Sequence, residues 1–80
     1  MDITLLGPGC HNCQTLEHRT REAVAELGIA ADFTKVTDYA DIAAFGIMSA
    51  PGLVIDGEVV MSGRVPTVGE IKELLAPYVD

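Results

Sequence analysis

The sequence predicts a small α/β domain: one mixed four-stranded sheet flanked by three helices, in the order β-α-β-α-β-β-α. Three observations carry that expectation. Short apolar runs alternate with stretches of 3.6-residue periodicity. Two of the later runs meet at Asp56-Gly57, a strong hairpin signal. The chain of 80 residues is 49% hydrophobic but only 5% aromatic, which calls for an aliphatic core of one-domain size spanning residues 1–80.

The elements follow in order. Residues 2–6, "DITLL", read as a strand closed by the turn "GPG". Leu16, Thr20, Ala23, Val24 and Leu27 then recur at helical spacing, with Gly28 as the stop. Residues 30–37, "AADFTKVT", read as a second strand in which Lys35 breaks the alternation. Asp38 is the expected N-cap of a short helix, "YADIAAFG", with Ile42 and Phe45 inward and Gly46 at its end. Tyr39 and Tyr78 stand at positions suited to helix packing. After the connection "IMSAPG" come the hairpin runs "LVID" and "EVVMS". In "TVGEIKELL", Thr67 and Glu70 form a capping box, and Val68, Ile71, Leu74 and Leu75 form the buried stripe. The first two strands, joined by a helix, should be parallel.

Charge narrows the partners. Five basic residues against twelve acidic ones leave a formal net charge of -7. The basic residues are scattered and form no stripe, which argues against nucleic acid and against an anionic membrane surface. No run approaches the roughly 20 apolar residues of a membrane helix. The start "MDITLLGPG" has an acid where a secretory leader would carry Lys or Arg, so a cytoplasmic location is expected. Asp32, Lys35 and Asp38 discourage edge-to-edge pairing, and a monomer is expected.

The chemistry concentrates in "GPGCHNC", residues 7–13. Cys10 and Cys13 are the chain's two cysteines. They lie where the first strand hands over to the first helix. The unpaired N–H groups and positive dipole end there favour an anion, so Cys10 should ionise below the usual thiol value of roughly 8.5. Cys13, three residues on, shares the helix face and is expected to be deeper. That asymmetry suits disulfide exchange, with Cys10 attacking and Cys13 resolving the mixed disulfide. His11 and Asn12 stand between them. A protonated His11 would favour the thiolate; equally, it is an ordinary solvated residue at a helix start.

Two other readings remain open for the pair. A reducing compartment makes a structural disulfide a poor explanation, but two small buried side chains would also fit. A soft-metal clasp for Cu(I) or Zn is the alternative function. Against a closed zinc site, His11 and His18 are two helical turns apart, about 10.5 Å, too far to serve one ion. The β-α-β-β-α-β order of small heavy-metal-binding domains also differs from the order read here.

The stretches "GPGCHNC", "AVAELGI", "KVTD" and "GIMSAPGLVIDGEVVMSGRVPTVGEIKELL" together resemble the thioredoxin superfamily. They are most similar to the small thioredoxin/glutaredoxin-like proteins called redox-active disulfide protein 2. The resemblance covers nearly the whole chain and implies a minimal thioredoxin fold. It also implies thiol–disulfide oxidoreductase activity with Cys10 and Cys13 as the catalytic pair. Their redox-active disulfide would be the only prosthetic chemistry, with no metal and no separate cofactor. The implied partners are disulfide-bearing protein substrates and a dithiol reductase.

By the same resemblance, Pro51 matches the cis-proline that lies against the active-site disulfide. Ala50 would offer backbone to an extended substrate, with Met48 and Ser49 beside it. Gly63 matches a glycine near the active site. Gly9 stands where thioredoxins carry Trp before the first Cys, and "HN" differs from both the "GP" of thioredoxins and the "PY" of glutaredoxins. The buried acid that thioredoxins keep beneath the disulfide has no counterpart here.

Overall fold

A computed structural model describes residues 1–9, 11–47 and 49–78. The elements are β1 (Asp2–Leu6), α1 (His11–Leu27), β2 (Asp32–Val36), α2 (Tyr39–Ala44), β3 (Gly52–Ile55), β4 (Glu58–Ser62) and α3 (Val68–Leu75), with a 3-10 turn at Ala76–Tyr78. They form one four-stranded sheet in the order β2-β1-β3-β4. β1 runs parallel to β2 and antiparallel to β3, and β3 antiparallel to β4. The predicted α/β class, element order and mixed sheet are all present.

Consecutive residues of a strand point to opposite faces, and the sheet uses both. Ile3 and Leu5 of β1, with Leu53 and Ile55 of β3, pack against Leu16, Ala23 and Val24 of α1 and Ile71 and Leu75 of α3. Leu6 and Val54 point the other way and meet Ile42 of α2. All of β3 is therefore buried. The second face is thin. Ile42 is the one buried residue of α2, and its burial contributes about 1.5–3 kcal/mol.

Local chemistry sets the boundaries. Asp38 accepts the Ala40 N–H at 2.8 Å and caps α2. Thr67 accepts the Glu70 N–H at 3.2 Å while Glu70 accepts back from the Thr67 N–H at 3.3 Å, completing the capping box. In the β3–β4 turn Asp56 (φ 50°) and Gly57 (φ 84°) both take positive φ, as a two-residue type I′ hairpin needs. Asp56 is also tied to β1. Its N–H donates to Asp2 O, and its carboxylate accepts the Asp2 N–H, each at 2.8 Å.

Three inward positions expected from periodicity are corrected. Leu27 is 39% exposed, Phe45 38% and Tyr39 72%. Leu27 is the last residue of α1, past the point where the sheet backs it. Phe45 is the C-cap of a six-residue helix, which is too short to seat a second side chain on the sheet. Tyr39 opens that helix and extends into solvent. Tyr78, by contrast, packs against the larger core, and its hydroxyl donates to Glu58 Oε2 at 2.6 Å. β2 is shorter than expected, because only residues 32–36 register against β1.

Candidate functional site

The candidate site is built at the C-terminal end of β1. Gly7 continues the strand, donating its N–H to Val36 O at 2.9 Å. The chain then turns through Gly9, whose φ of 92° suits glycine, and α1 begins at His11. Cys10, immediately before the helix, lies outside the described residues, as does Met48. Cys13 sits in the opening turn of α1 and is half-buried. That turn carries no acidic residue to offset the positive end of the helix from within it.

Cys13 meets two backbone segments. A β-carbon built on buried Gly7 would collide with Cys13 Sγ, and would lie 3.0 Å from its Cβ and 3.9 Å from Pro51 Cβ. Gly7, Cys13 and Pro51 thus converge, and the absence of a side chain at residue 7 is what admits the sulfur. The Ala50–Pro51 peptide is cis, as the resemblance implied, and Pro51 is buried. Gly63 donates its N–H to Pro51 O at 2.8 Å, which ties the end of β4 to this loop. With φ of 81° and a virtual β-carbon 3.2 Å from Ser49 Cβ, Gly63 is held to glycine by both conformation and space.

Other expected positions are more peripheral. Gly9, His11, Asn12 and Ala50 are exposed. His18 is exposed further along α1. Arg64 is bound to Glu70 at 2.9 Å across the capping box, a structural pairing. Among the described residues, no group of three His, Cys, Asp or Glu side chains could hold a metal ion. No described helix is long and apolar enough to cross a membrane.

Behind Cys13 lies a hollow of about 60 Å³, with Leu5, Leu6, Leu16 and Pro51 among its apolar lining. Glu17, Lys35 and Thr37 line it too, and none was legible as a site residue. Glu17 is bound by Lys35 Nζ at 2.7 Å and by Arg21 Nε at 3.0 Å. The hydrogen bond from Lys35 pulls the Glu17 carboxyl below its ordinary value of 4.5; partial burial opposes that shift and Arg21 adds to it. Arg21 in turn lies over the Phe33 ring, 4.3 Å from its centroid. Gly7 read in the sequence as turn punctuation. Glu17 and Lys35 lie on different elements, and only the fold brings them together.

Comparison with known proteins gives the family. The family model described as thioredoxin domain matches residues 1–76. A protein named thioredoxin from Methanothermobacter thermautotrophicus is 47% identical over 76 residues, covering 95% of this chain and 99% of the relative. Another, named thioredoxin, from Methanocaldococcus jannaschii is 40% identical over 78 residues, covering 98% of this chain and 90% of the relative.

Proposed function

Since the chain belongs to the thioredoxin family, we propose that it is a thiol–disulfide oxidoreductase whose reacting pair is Cys10 and Cys13. The observation that carries this reading is the seat of Cys13. It is half-buried, in the first turn of α1, and packed where Gly7 and Pro51 converge. A resolving thiol needs such a place, close to the preceding cysteine in sequence and withheld from bulk reagents. By its place in the sequence just before the helix, Cys10 is the residue whose thiolate a helix N-terminus would stabilise.

The reaction balances as a two-electron exchange. The Cys10 thiolate attacks one sulfur of a substrate disulfide, forming a mixed disulfide and releasing the other sulfur as a thiolate. Cys13 loses its proton and attacks Cys10 Sγ. The bond from Cys10 to the substrate breaks, and its electron pair leaves on the second substrate thiolate. The products are a Cys10–Cys13 disulfide and a substrate dithiol, once the two thiolates take up protons. A dithiol reductase returns the pair to its reduced form. Ala50 and Gly63 flank Pro51, where exposed backbone is available to an extended protein substrate. We read residues 1–80 as one such domain acting in the cytoplasm without a further cofactor.

The test is trapping. Cys13→Ser leaves the mixed disulfide unresolved, so a disulfide-bearing protein substrate should remain attached through Cys10, and reductant should release it. The chain lacking both cysteines should trap nothing. If Cys13→Ser captures no more than the double variant, the exchange mechanism is wrong.

A further inference from the structure

A second hollow, of about 170 Å³, opens on the α2 face of the sheet, beside the loop that carries Pro51. Among the described residues it is lined by Tyr39, Ile42, Ala43, Ile47, Ser49 and Ala50. Its floor is fixed. Ile42 and Ile47 pack on Leu6 and Val54, and a β-carbon on Gly52 would come within 2.8 Å of Ile47 Cδ1, so bare backbone at residue 52 is what seats that side chain. Its walls are open, since Ala43 offers only an exposed methyl and Tyr39 extends into solvent. An apolar space of about 150 Å³ holds a benzene-sized group, so there is room here for one aliphatic or aromatic side chain. Ala50 joins this hollow directly to Pro51, where Gly7 and Cys13 converge.

The charge around the hollow is one-sided. Residues 36–63 contain Asp38, Asp41, Asp56 and Glu58 and no Lys, Arg or His. The basic side chains elsewhere are engaged: Lys35 and Arg21 on Glu17, Arg64 on Glu70, Lys72 on Glu26, and Arg19 on Pro66 O. Asp38 stands at the rim, between Thr37, which lines the hollow behind Cys13, and Tyr39, which lines this one. It is exposed, its Oδ1 accepts the Ala40 N–H, and among the described residues it makes no ion pair.

We propose that this hollow receives an apolar side chain flanking the reactive cysteine of a substrate protein, and that Asp38 selects a lysine or arginine next to that side chain. The inference names a substrate class for the disulfide exchange read above and rests on that reading. A cation there is attracted by the Asp38 carboxylate and by the face of the exposed Tyr39 ring. An acidic segment would meet only like charge.

The probes are disulfide-linked dimers of short peptides whose cysteine carries the same two residues on each side, so that chain direction does not matter. The flanks are leucine then lysine, leucine then glutamate, or serine then lysine. The reduced protein converts each dimer into two thiol peptides as Cys10 and Cys13 become a disulfide. The thiol peptide formed in a single turnover is followed by mass spectrometry, and each rate is taken relative to that with a free small dithiol. The leucine–lysine dimer should react about tenfold faster than the serine–lysine dimer. At low salt it should react about fivefold faster than the leucine–glutamate dimer, a margin that high salt should erase. Ala43→Leu fills the hollow and should remove the preference for leucine. Asp38→Asn keeps the helix cap without the charge and should lose most of the preference for lysine. Asp56→Asn, the same charge lost beyond the far end of β3, should keep it.

Equal relative rates for the three dimers overturn this inference and leave disulfide exchange standing, whereas reduction of none overturns both. A lysine preference that falls alike in Asp38→Asn and Asp56→Asn belongs to net charge, and the selecting role of Asp38 is then wrong. A parent protein that elutes as a dimer, and that Ala43→Leu converts to a monomer, would place a second copy of the chain in the hollow and would also overturn the proposal.

Discussion

Replacing Gly7 by alanine tests the packing that seats Cys13. The new β-carbon would overlap Cys13 Sγ and lie 3.0 Å from Cys13 Cβ, a separation that real side chains scarcely adopt. Gly7 is buried between β1 and the Pro51 loop, so relief requires moving the first turn of α1 or the proline. Overpacking of that kind costs about 1–3 kcal/mol. Gly7 is not among the positive-φ residues, so alanine should regain about 0.4–1 kcal/mol by restricting the unfolded chain. The net expectation is a loss of about 1–2 kcal/mol, or a Tm lower by about 5–15 °C in a domain of this size. Gly69→Ala is the matched control. Its β-carbon would meet only Thr67 Oγ1, at 3.9 Å, within α3, so a gain of about 0.5 kcal/mol is expected. The assay is thermal unfolding of both variants under reducing conditions, together with Cys13 alkylation. If Gly7→Ala melts with the parent and Cys13 reacts unchanged, the contact between residue 7 and the sulfur is refuted.

Three further outcomes follow from the same structure. Thr67→Ala removes the acceptor for the Glu70 N–H and should cost about 1 kcal/mol in urea unfolding; an unchanged midpoint would mean the capping box is idle. Gly57→Ala forces a β-carbon onto φ 84° and should cost about 1–2 kcal/mol, read by the same titration, where parental stability would contradict the hairpin geometry. The Glu17 carboxyl is held below 4.5 in the folded chain, so its contribution is present above that pH and is lost as pH falls through the lower folded value. Acid unfolding should therefore be shallower in Glu17→Gln than in the parent across that window, and identical profiles would refute it.

The sequence carried the frame of this molecule because its strongest signals are local. Asp56-Gly57 requires a hairpin, Thr67 and Glu70 require a helix start, and the aliphatic spacing of α1 fixes its buried face through Val24. Periodicity failed at helix ends. It assigns Leu27 and Phe45 to a stripe without knowing where the sheet beneath them stops. Within the candidate site, Cys13 and Pro51 could be read from spacing and resemblance, whereas Gly7 could not. Its role is steric and exists only when the end of β1, the first turn of α1 and the Pro51 loop meet. Glu17 and Lys35 were equally hidden. They lie on different elements, and their contact depends on β2 running parallel beside β1 under α1. Exposed charges have no periodic signature that separates a solvated residue from one turned into a hollow.

The most direct test of the account is the pH dependence of alkylation at each cysteine in the reduced, metal-free protein, resolved by peptide mass spectrometry. The account predicts that Cys10 reacts well below the ordinary thiol range of roughly 8.5, while Cys13 stays protected beside Gly7 and Pro51. Equal reaction of both cysteines, with ordinary thiol midpoints, would contradict the division into an attacking and a resolving thiol.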